Sequence, residues 1–308
     1  WIEIALSTDP DDGEAQPTDD NLNGIADAFE AGQAAVGGGG GGDGPVLPGM
    51  PEGDVLYDSF TVNNIVDLTV IQQYRVIEGR LTINGTQLTR ISLPNLETVG
   101  FISIQQNALL TRVELPRLAT VTGYVHVQNN ARLPSFALPS VTTVGEYFVI
   151  DNNDAMTELS VPQLTSVGGR VRLYSNDALT TFGDGFPALT NVGDYLLIAY
   201  NALTTFGDGF PVLETVAKRL DIQNNELLTT LGGGFPALIE IGAQLTIWQN
   251  DALLEARFPA LTTIGGHLSF GGTGSTSYNN DSLRHIGFPA LTLVRGVVDG
   301  NACRNTNG

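Results

Sequence analysis

The sequence predicts an all-β fold, a β-solenoid of about ten coils, and three observations carry the prediction. Asn107, Asn130, Asn153, Asn176, Asn201, Asn225 and Asn250 recur at spacings of 23, 23, 23, 25, 24 and 25, each three places after a Val, Ile or Leu. Around each lies one frame, "x-L-x-I-x-x-N-x-x-L-x-x-L-x-L-P-x-L-x-x-V-G", so one structural unit is copied along the chain. Charged residues are only 15% of the total, while Gly, Thr, Asn and Pro are abundant, as turn-dense β architecture requires. A repeat array grows by stacking, so 308 residues need not divide into two globular domains.

The net charge of −19 is uneven. Eleven of the 33 acids and none of the 14 Lys or Arg fall in residues 1 to 53, which leaves −11 there and −8 for the rest. Such a field repels phosphate backbones, so nucleic acid is excluded as a partner class, and it attracts divalent cations. The single Cys303 has no internal disulfide partner and is either a free thiol or an intermolecular bridge. No run of about 18 apolar residues predicts a membrane span. The opening "WIEIALSTDPDDG" lacks the basic start and apolar centre of a signal peptide, which points to an intracellular protein or to a mature or excised segment.

In chain order, residues 1 to 7 alternate, with Ile2, Ile4 and Leu6 on one side, the period of a strand. That strand is either a remnant of a preceding domain or one that pairs within this protein or with a neighbour. "DDNLNGIADAFE" follows in the register of a calcium loop. Asp19, Asn21 and Asn23 take positions 1, 3 and 5, Gly24 position 6, Ile25 position 7, Asp27 position 9 and Glu30 position 12. A hard cation needs six to eight oxygens at about 2.3–2.6 Å, and short Asx side chains on a tight turn closed by a bidentate Glu30 supply them. The stretch "STDPDDGEAQPTDDNLNGIADAFEAG" resembles the thrombospondin type 3 and related bacterial calcium repeats, and the resemblance implies a secreted, Ca2+-binding spacer. "ADAFEAGQAAV" reads as a short helix, completing an N-terminal segment over 1–36. Residues 37–53, "GGGGGGDGPVLPGMPEG", read as a linker.

The solenoid is expected over 54–308. Its first coil, through "FTVNNIVDLTVIQQYRVIEG", is irregular. Regular coils are expected from Leu81, Ile102, Val125, Phe148, Val171, Leu196, Leu220, Leu245 and Leu268, with a last partial coil at Val297. In each, two alternating apolar residues such as Val125 and Val127 point inward from a short strand. The Pro of the "LP" or "FP" step marks a corner where no ladder N–H is needed. The Gly after the Val or Ile, as in Gly145 and Gly168, is expected to permit the turn back into the strand. At ~4.8 Å per coil, ten coils give a rod of roughly 50 Å. The asparagine column is expected to be structural, its amides bonding backbone groups of their own and adjacent coils.

"GRLTINGTQLTRISLPNLETVG" and "KRLDIQNNELLTTLGGGFPALIEIG" resemble the receptor L domain, a leucine-rich-repeat-like, right-handed β-helix of receptor ectodomains, fungal cell-wall proteins and bacterial surface proteins. The resemblance spans residues 55 to about 300. It implies an extracellular or cell-surface location and a binding, adhesion or structural role. The chain departs from the animal receptors in lacking their cysteine-rich modules and in repeating "LTTFGDGFP" at 179–187 and 203–211.

Catalysis has little support. His126, His267 and His285 are scattered, and no nucleophile elbow, P-loop or metalloprotease pattern occurs. Asp151 or Asp221 can project from the sheet, but the equivalent positions in intervening coils are read as Tyr174 and Ala199, so no carboxylate pair stacks for acid–base work. Adjacent threonines such as Thr142 and Thr143 are expected to face opposite ways, which gives no flat ice-matching array. The outward strand positions are more informative. Tyr124, Tyr147, Arg170, Arg172, Tyr195 and Trp248 form a row of the residue types enriched at interfaces, and ordinary cross-strand packing favours the same types. The sequence therefore leads to a non-catalytic module that binds a protein or glycan partner through this row, with Ca2+ in its N-terminal segment. The alternative is a filament subunit that adds its N-terminal strand to another copy of itself.

Overall fold

The computed structural model describes residues 54–271 and 280–299, all within one compact unit, Pro51–Gly308. The strand expected over 1–7, the calcium-loop residues Asp19, Asn21, Asn23, Ile25, Asp27 and Glu30, the linker 37–53 and Cys303 lie outside the described residues.

The described chain is an all-β parallel solenoid of about nine turns. One coil shows how the repeat produces it. Thr120–Val121 forms a short strand, Thr122 and Gly123 bend, and Val125–Gln128 forms the main strand. Asn129 then turns the chain in the left-handed region at φ 57°, Asn130 fills the corner, and Ser135–Ala137 runs along the opposite side. After Pro139 the next coil arrives in register, Thr143 beside Thr120 and Phe148 beside Val125. The strands before and after each bend belong to one 20-stranded sheet. The opposite side is less regular, with pairs such as Ser135–Ala137 and Glu158–Ser160 and the isolated bridges Thr205 to Thr230 to Glu255.

Alternation decides which side chains are buried. Val125, Val127, Phe148, Ile150, Val171 and Leu173 point inward and are 0% exposed. Each such side chain contributes roughly 1.5–3 kcal/mol relative to leaving it in water. The residue before each corner proline is Leu or Val in the early coils and Phe later. Phe186, Phe210, Phe235, Phe258 and Phe288 stack one per coil, with centroid separations of 4.9, 5.4, 5.8 and 5.5 Å. Glycines leave room beside them: a Cβ on Gly209 would lie 2.8 Å from the Phe182 side chain and one on Gly234 3.0 Å from that of Phe206. Gly183, Gly207 and Gly232 take positive φ, and a second ring column, Phe182 and Phe206, packs beside the first.

The structure changes four expectations. The first coil is not merely irregular: Ile65–Ile71 is a helix, capped by Asn64, whose side chain accepts from the N–H groups of Val66 and Asp67. Leu68 and Ile71 are buried. "IVDLTVI" alternates poorly as a strand, and the Asn cap lets it turn. The glycines of the "VG" step do not act through left-handed backbone, since Gly145, Gly168, Gly193, Gly242 and Gly265 are not among the positive-φ residues. They are required by close approach: a Cβ on Gly168 would lie 2.1 Å from the carbonyl oxygen of Gly145, and one on Gly193 2.1 Å from that of Gly168. The last coil is displaced by one residue, because Val298, not Val297, pairs with Leu268, and a one-residue slip reverses every side chain. Finally, Thr142 and Thr143 are both exposed, because Thr142 sits at a corner before its strand. Its hydroxyl donates to the Ala119 carbonyl, and those of Thr165 and Thr190 donate to Thr142 and Thr165 in the same way.

Candidate interaction face

The outward face of the main strands is organised in columns running along the solenoid. The first begins Arg80, Phe101, Tyr124 and Tyr147 and continues Arg170, Tyr195, Arg219, Gln244 and His267, each residue one coil beyond the last. The second contains Ser103, His126, Val149, Arg172, Leu197, Asp221 and Thr246. The third contains Gln105, Gln128, Asp151, Tyr174, Ala199, Gln223 and Trp248. Parallel in-register pairing thus brings residues a whole coil apart in sequence into direct contact.

The first column is a pile of rings and guanidinium groups. Tyr124 and Tyr147 stack 4.4 Å apart at 8°, and Arg170 lies over the Tyr147 ring at 4.3 Å. Phe101 tilts against Tyr124 at 5.0 Å, with Arg80 over both rings. The faces of Tyr147 are therefore covered on both sides, by Tyr124 and by Arg170, and those of Tyr124 by Tyr147 and by Phe101 with Arg80. Tyr124 is only 9% exposed, so it supports the face more than it forms it. Burial raises the Tyr147 phenol above its ordinary range, with the stacked Tyr124 adding to the effect. Two coils further on, Arg219 lies over Tyr195 at 5.3 Å.

Beside this pile sits a polar cluster. Arg172 lies over the Tyr174 ring at 4.4 Å and pairs with Asp151 at 2.9 Å. Asp151 is 1% exposed, and its second carboxylate oxygen has no hydrogen-bond partner. Burial pushes its carboxyl up to about 6, against the opposing pull of Arg172 and then Arg170. The Nε of Arg170 is likewise buried without a partner. His126 bonds Gln105 through Nδ1 at 3.0 Å, and burial, with Arg170 and Arg172 nearby, lowers its basicity. Val149, in the middle of this group, is 2% exposed under the side chains around it.

No protein-family model matches this chain, and no curated protein or solved structure matches it. What the face can do therefore rests on its own geometry.

The structure brings Tyr124, Tyr147, Arg170 and Arg172 together, with Tyr195 in the next coil. Trp248 stands apart in the third column, where its indole Nε1 bonds the Gln223 side chain. Asp151 and Asp221 are not equivalent positions. Asp151 lies in the third column between Gln128 and Tyr174, and Asp221 lies in the second between Leu197 and Thr246. Reading both as one column slips the register by two residues. Among the described residues no group of three or more His, Cys, Asp or Glu is placed to hold a metal ion.

The asparagine column runs inside the adjacent corner. Asn153 Oδ1 accepts from the backbone N–H and the amide of Asn130, while its own amide donates to the carbonyls of Val127 and Asp151 and to Asn176 Oδ1. The same pattern continues through Asn176, Asn201, Asn225 and Asn250. The column also has two members the seven-residue series omits. Thr86 donates its N–H and hydroxyl to Asn107, and Asn280 accepts from Asn250. Asn280 escaped the count because its interval is 30 residues, yet "NDSL" at 280–283 repeats the "NDAL" at 176–179 and 250–253.

Proposed function

We propose that this chain is a non-catalytic extracellular or cell-surface adhesion module that binds a protein or glycan partner through the outward face of its parallel sheet. Calcium held by Asp19, Asn21, Asn23, Ile25, Asp27 and Glu30 stabilises the segment before it in this reading. The observation that carries it is the unbroken column Arg80, Phe101, Tyr124, Tyr147, Arg170, Tyr195 and Arg219, seven coils of the residue types that dominate interface energetics. Stacking fixes these side chains before a partner arrives, which lowers the entropic cost of binding. Because the faces of Tyr124 and Tyr147 are covered, the middle of the column offers phenol and guanidinium groups, which suit hydrogen bonding better than sugar stacking.

The likeness of residues 55 to about 300 to the receptor L domain, and of the acidic N-terminal stretch to thrombospondin type 3 repeats, supports the surface location. A non-catalytic role is supported by the separation of Asp151 and Asp221 into different columns, each without a carboxylate neighbour in its ladder. Replacing Tyr147, Tyr195 and Trp248 together by alanine is expected to abolish retention on native cells or on immobilised glycans while circular dichroism stays unchanged. Unchanged retention would reject the face. The alternating Ile2, Ile4 and Leu6 favour a second reading, a filament subunit joined by strand addition. Deleting residues 1–36 then leaves a monomer in sedimentation, and assembly that survives the deletion rules that route out.

A further inference from the structure

The polar cluster on the face has an imbalance that packing alone leaves unresolved. Arg170 and Arg172 project from the same strand edge two residues apart, and between them they have one carboxylate partner. Arg172 takes Asp151 at 2.9 Å. Arg170 makes no ion pair among the described residues, and its Nε has no hydrogen-bond acceptor. Exposed Glu146, next in sequence to Tyr147, does not pair with it. Both guanidinium groups are nevertheless held in place, Arg170 on the ring of Tyr147 at 4.3 Å and Arg172 on that of Tyr174 at 4.4 Å. His126 lies on the same face, edge-on to the Tyr147 ring at 6.3 Å and two coils from Arg172 in one column. A fork clamped by a ring loses little side-chain freedom on binding and presents planar donors that match a carboxylate. The chain carries a net charge of −19, so this cationic patch runs against the mean field of the molecule.

We propose that Arg170, with Arg172 and His126 beside it, is a recognition site for a carboxylate side chain of an acidic segment of a protein partner. This rests on the face assigned above and names the chemistry it takes. An acidic polypeptide is favoured over an acidic polysaccharide because the faces of Tyr124 and Tyr147 are covered by each other and by Arg170, which closes the stacking contacts a pyranose would use. Arg172 remains pinned to Asp151 and orients the site, while Arg170 supplies the free donors.

The test is a titration of the full chain with hexaglutamate, hexalysine and hexagalacturonate at low ionic strength, read by calorimetry, for the wild type and for Arg170→Gln and Arg170→Lys. Saturable hexaglutamate binding is expected, weaker by about tenfold or more in Arg170→Gln and partly restored in Arg170→Lys, with hexalysine silent. Thermal unfolding of each variant is recorded alongside. Arg170→Lys keeps a charge in the same pile, so a site that survives folding is still tested if Arg170→Gln unfolds. Three results overturn the proposal: no hexaglutamate binding, equal binding by wild type and a folded Arg170→Gln, or tighter binding of hexagalacturonate than of hexaglutamate. The triple replacement of Tyr147, Tyr195 and Trp248 tests the face separately. Retention lost in that variant but intact in Arg170→Gln would leave the face standing and remove this site.

Discussion

At the scale of single residues, asparagine is used where its amide can accept and donate along one axis. Asn176 accepts from the Asn153 N–H and amide and donates to the carbonyls of Ile150 and Tyr174 and to Asn201. Removing it leaves buried groups unpaired in two coils. Asn176→Ala is therefore expected to destabilise the protein by about 3 kcal/mol or more, measured by urea unfolding, since each buried orphan costs roughly 1–3 kcal/mol. The residue before each asparagine shows what that column supports. Gln106, Asn129, Asn152, Ser175, Tyr200, Asn224 and Gln249 all have φ between 52° and 57°. Non-glycine residues rarely occupy that region. The N–H groups of the first six are satisfied by the next coil, as Asn129 is by Asp151 and Ser175 by Ala199. Asp151 gives a prediction of opposite sign to the usual carboxylate. Its folded pKa, about 6, lies above its ordinary 3.8, so the folded state holds the proton more tightly between those values. The stability this contributes is complete below about pH 4 and is lost as pH rises through about 6, a difference of about 3 kcal/mol. Comparing thermal midpoints of the wild type and Asp151→Asn at pH 4 and pH 7 isolates it. The wild type should lose ground to the variant on going to pH 7, and parallel profiles would refute the account.

At the scale of elements, the coil is set by where backbones approach. The glycine column at the bend lets a neighbouring coil's carbonyl come within 1.9 to 2.2 Å of where a Cβ would stand at Gly100, Gly145, Gly168, Gly193, Gly242 and Gly265. Gly168→Ala must push two coils apart, and an overpacking cost of about 1–3 kcal/mol is expected in chemical denaturation. At Gly183 nothing lies within 4 Å of the added Cβ, but φ is +51°. The same change there acts instead through backbone strain. The phenylalanine pile is the other element-scale device. Phe210 contacts Phe186 and Phe235 by stacking and Phe182 edge-on. Phe210→Ala therefore opens a cavity and should cost about 3–5 kcal/mol by the same measurement.

At the scale of the whole molecule, backbone pairing joins each coil to the next, so the face is a ruler of side chains at one coil spacing. The proposed calcium belongs to this scale because the acidic motif ending at Glu30 precedes the solenoid in the chain. Calorimetric titration of the full chain is expected to show one Ca2+ event that Glu30→Gln weakens, and indistinguishable titrations would remove the ion from the proposal. Much of this architecture is legible in the sequence because each copy states its register again. The recurring interval places Val125 beside Phe148 and Tyr124 beside Tyr147, and strand alternation says which of them turns inward. The interval failed where the copies changed length, at Asn280, and where the frame was read one or two residues out of step, at Val297 and at Asp221. It also failed at Ile65–Ile71, where no repeat exists to compare.

The sequence by itself determined the period, the inward columns and which strand residues turn outward, because those follow from spacing and alternation. Only the tertiary structure decided what the row is made of physically. Whether Tyr124 offers its face or hides it, whether Arg170 or Arg172 holds Asp151, and why the bend needs glycine depend on contacts between coils. Side chains a full coil apart in the chain settle those contacts by packing and desolvation, and neither is written in the spacing of letters.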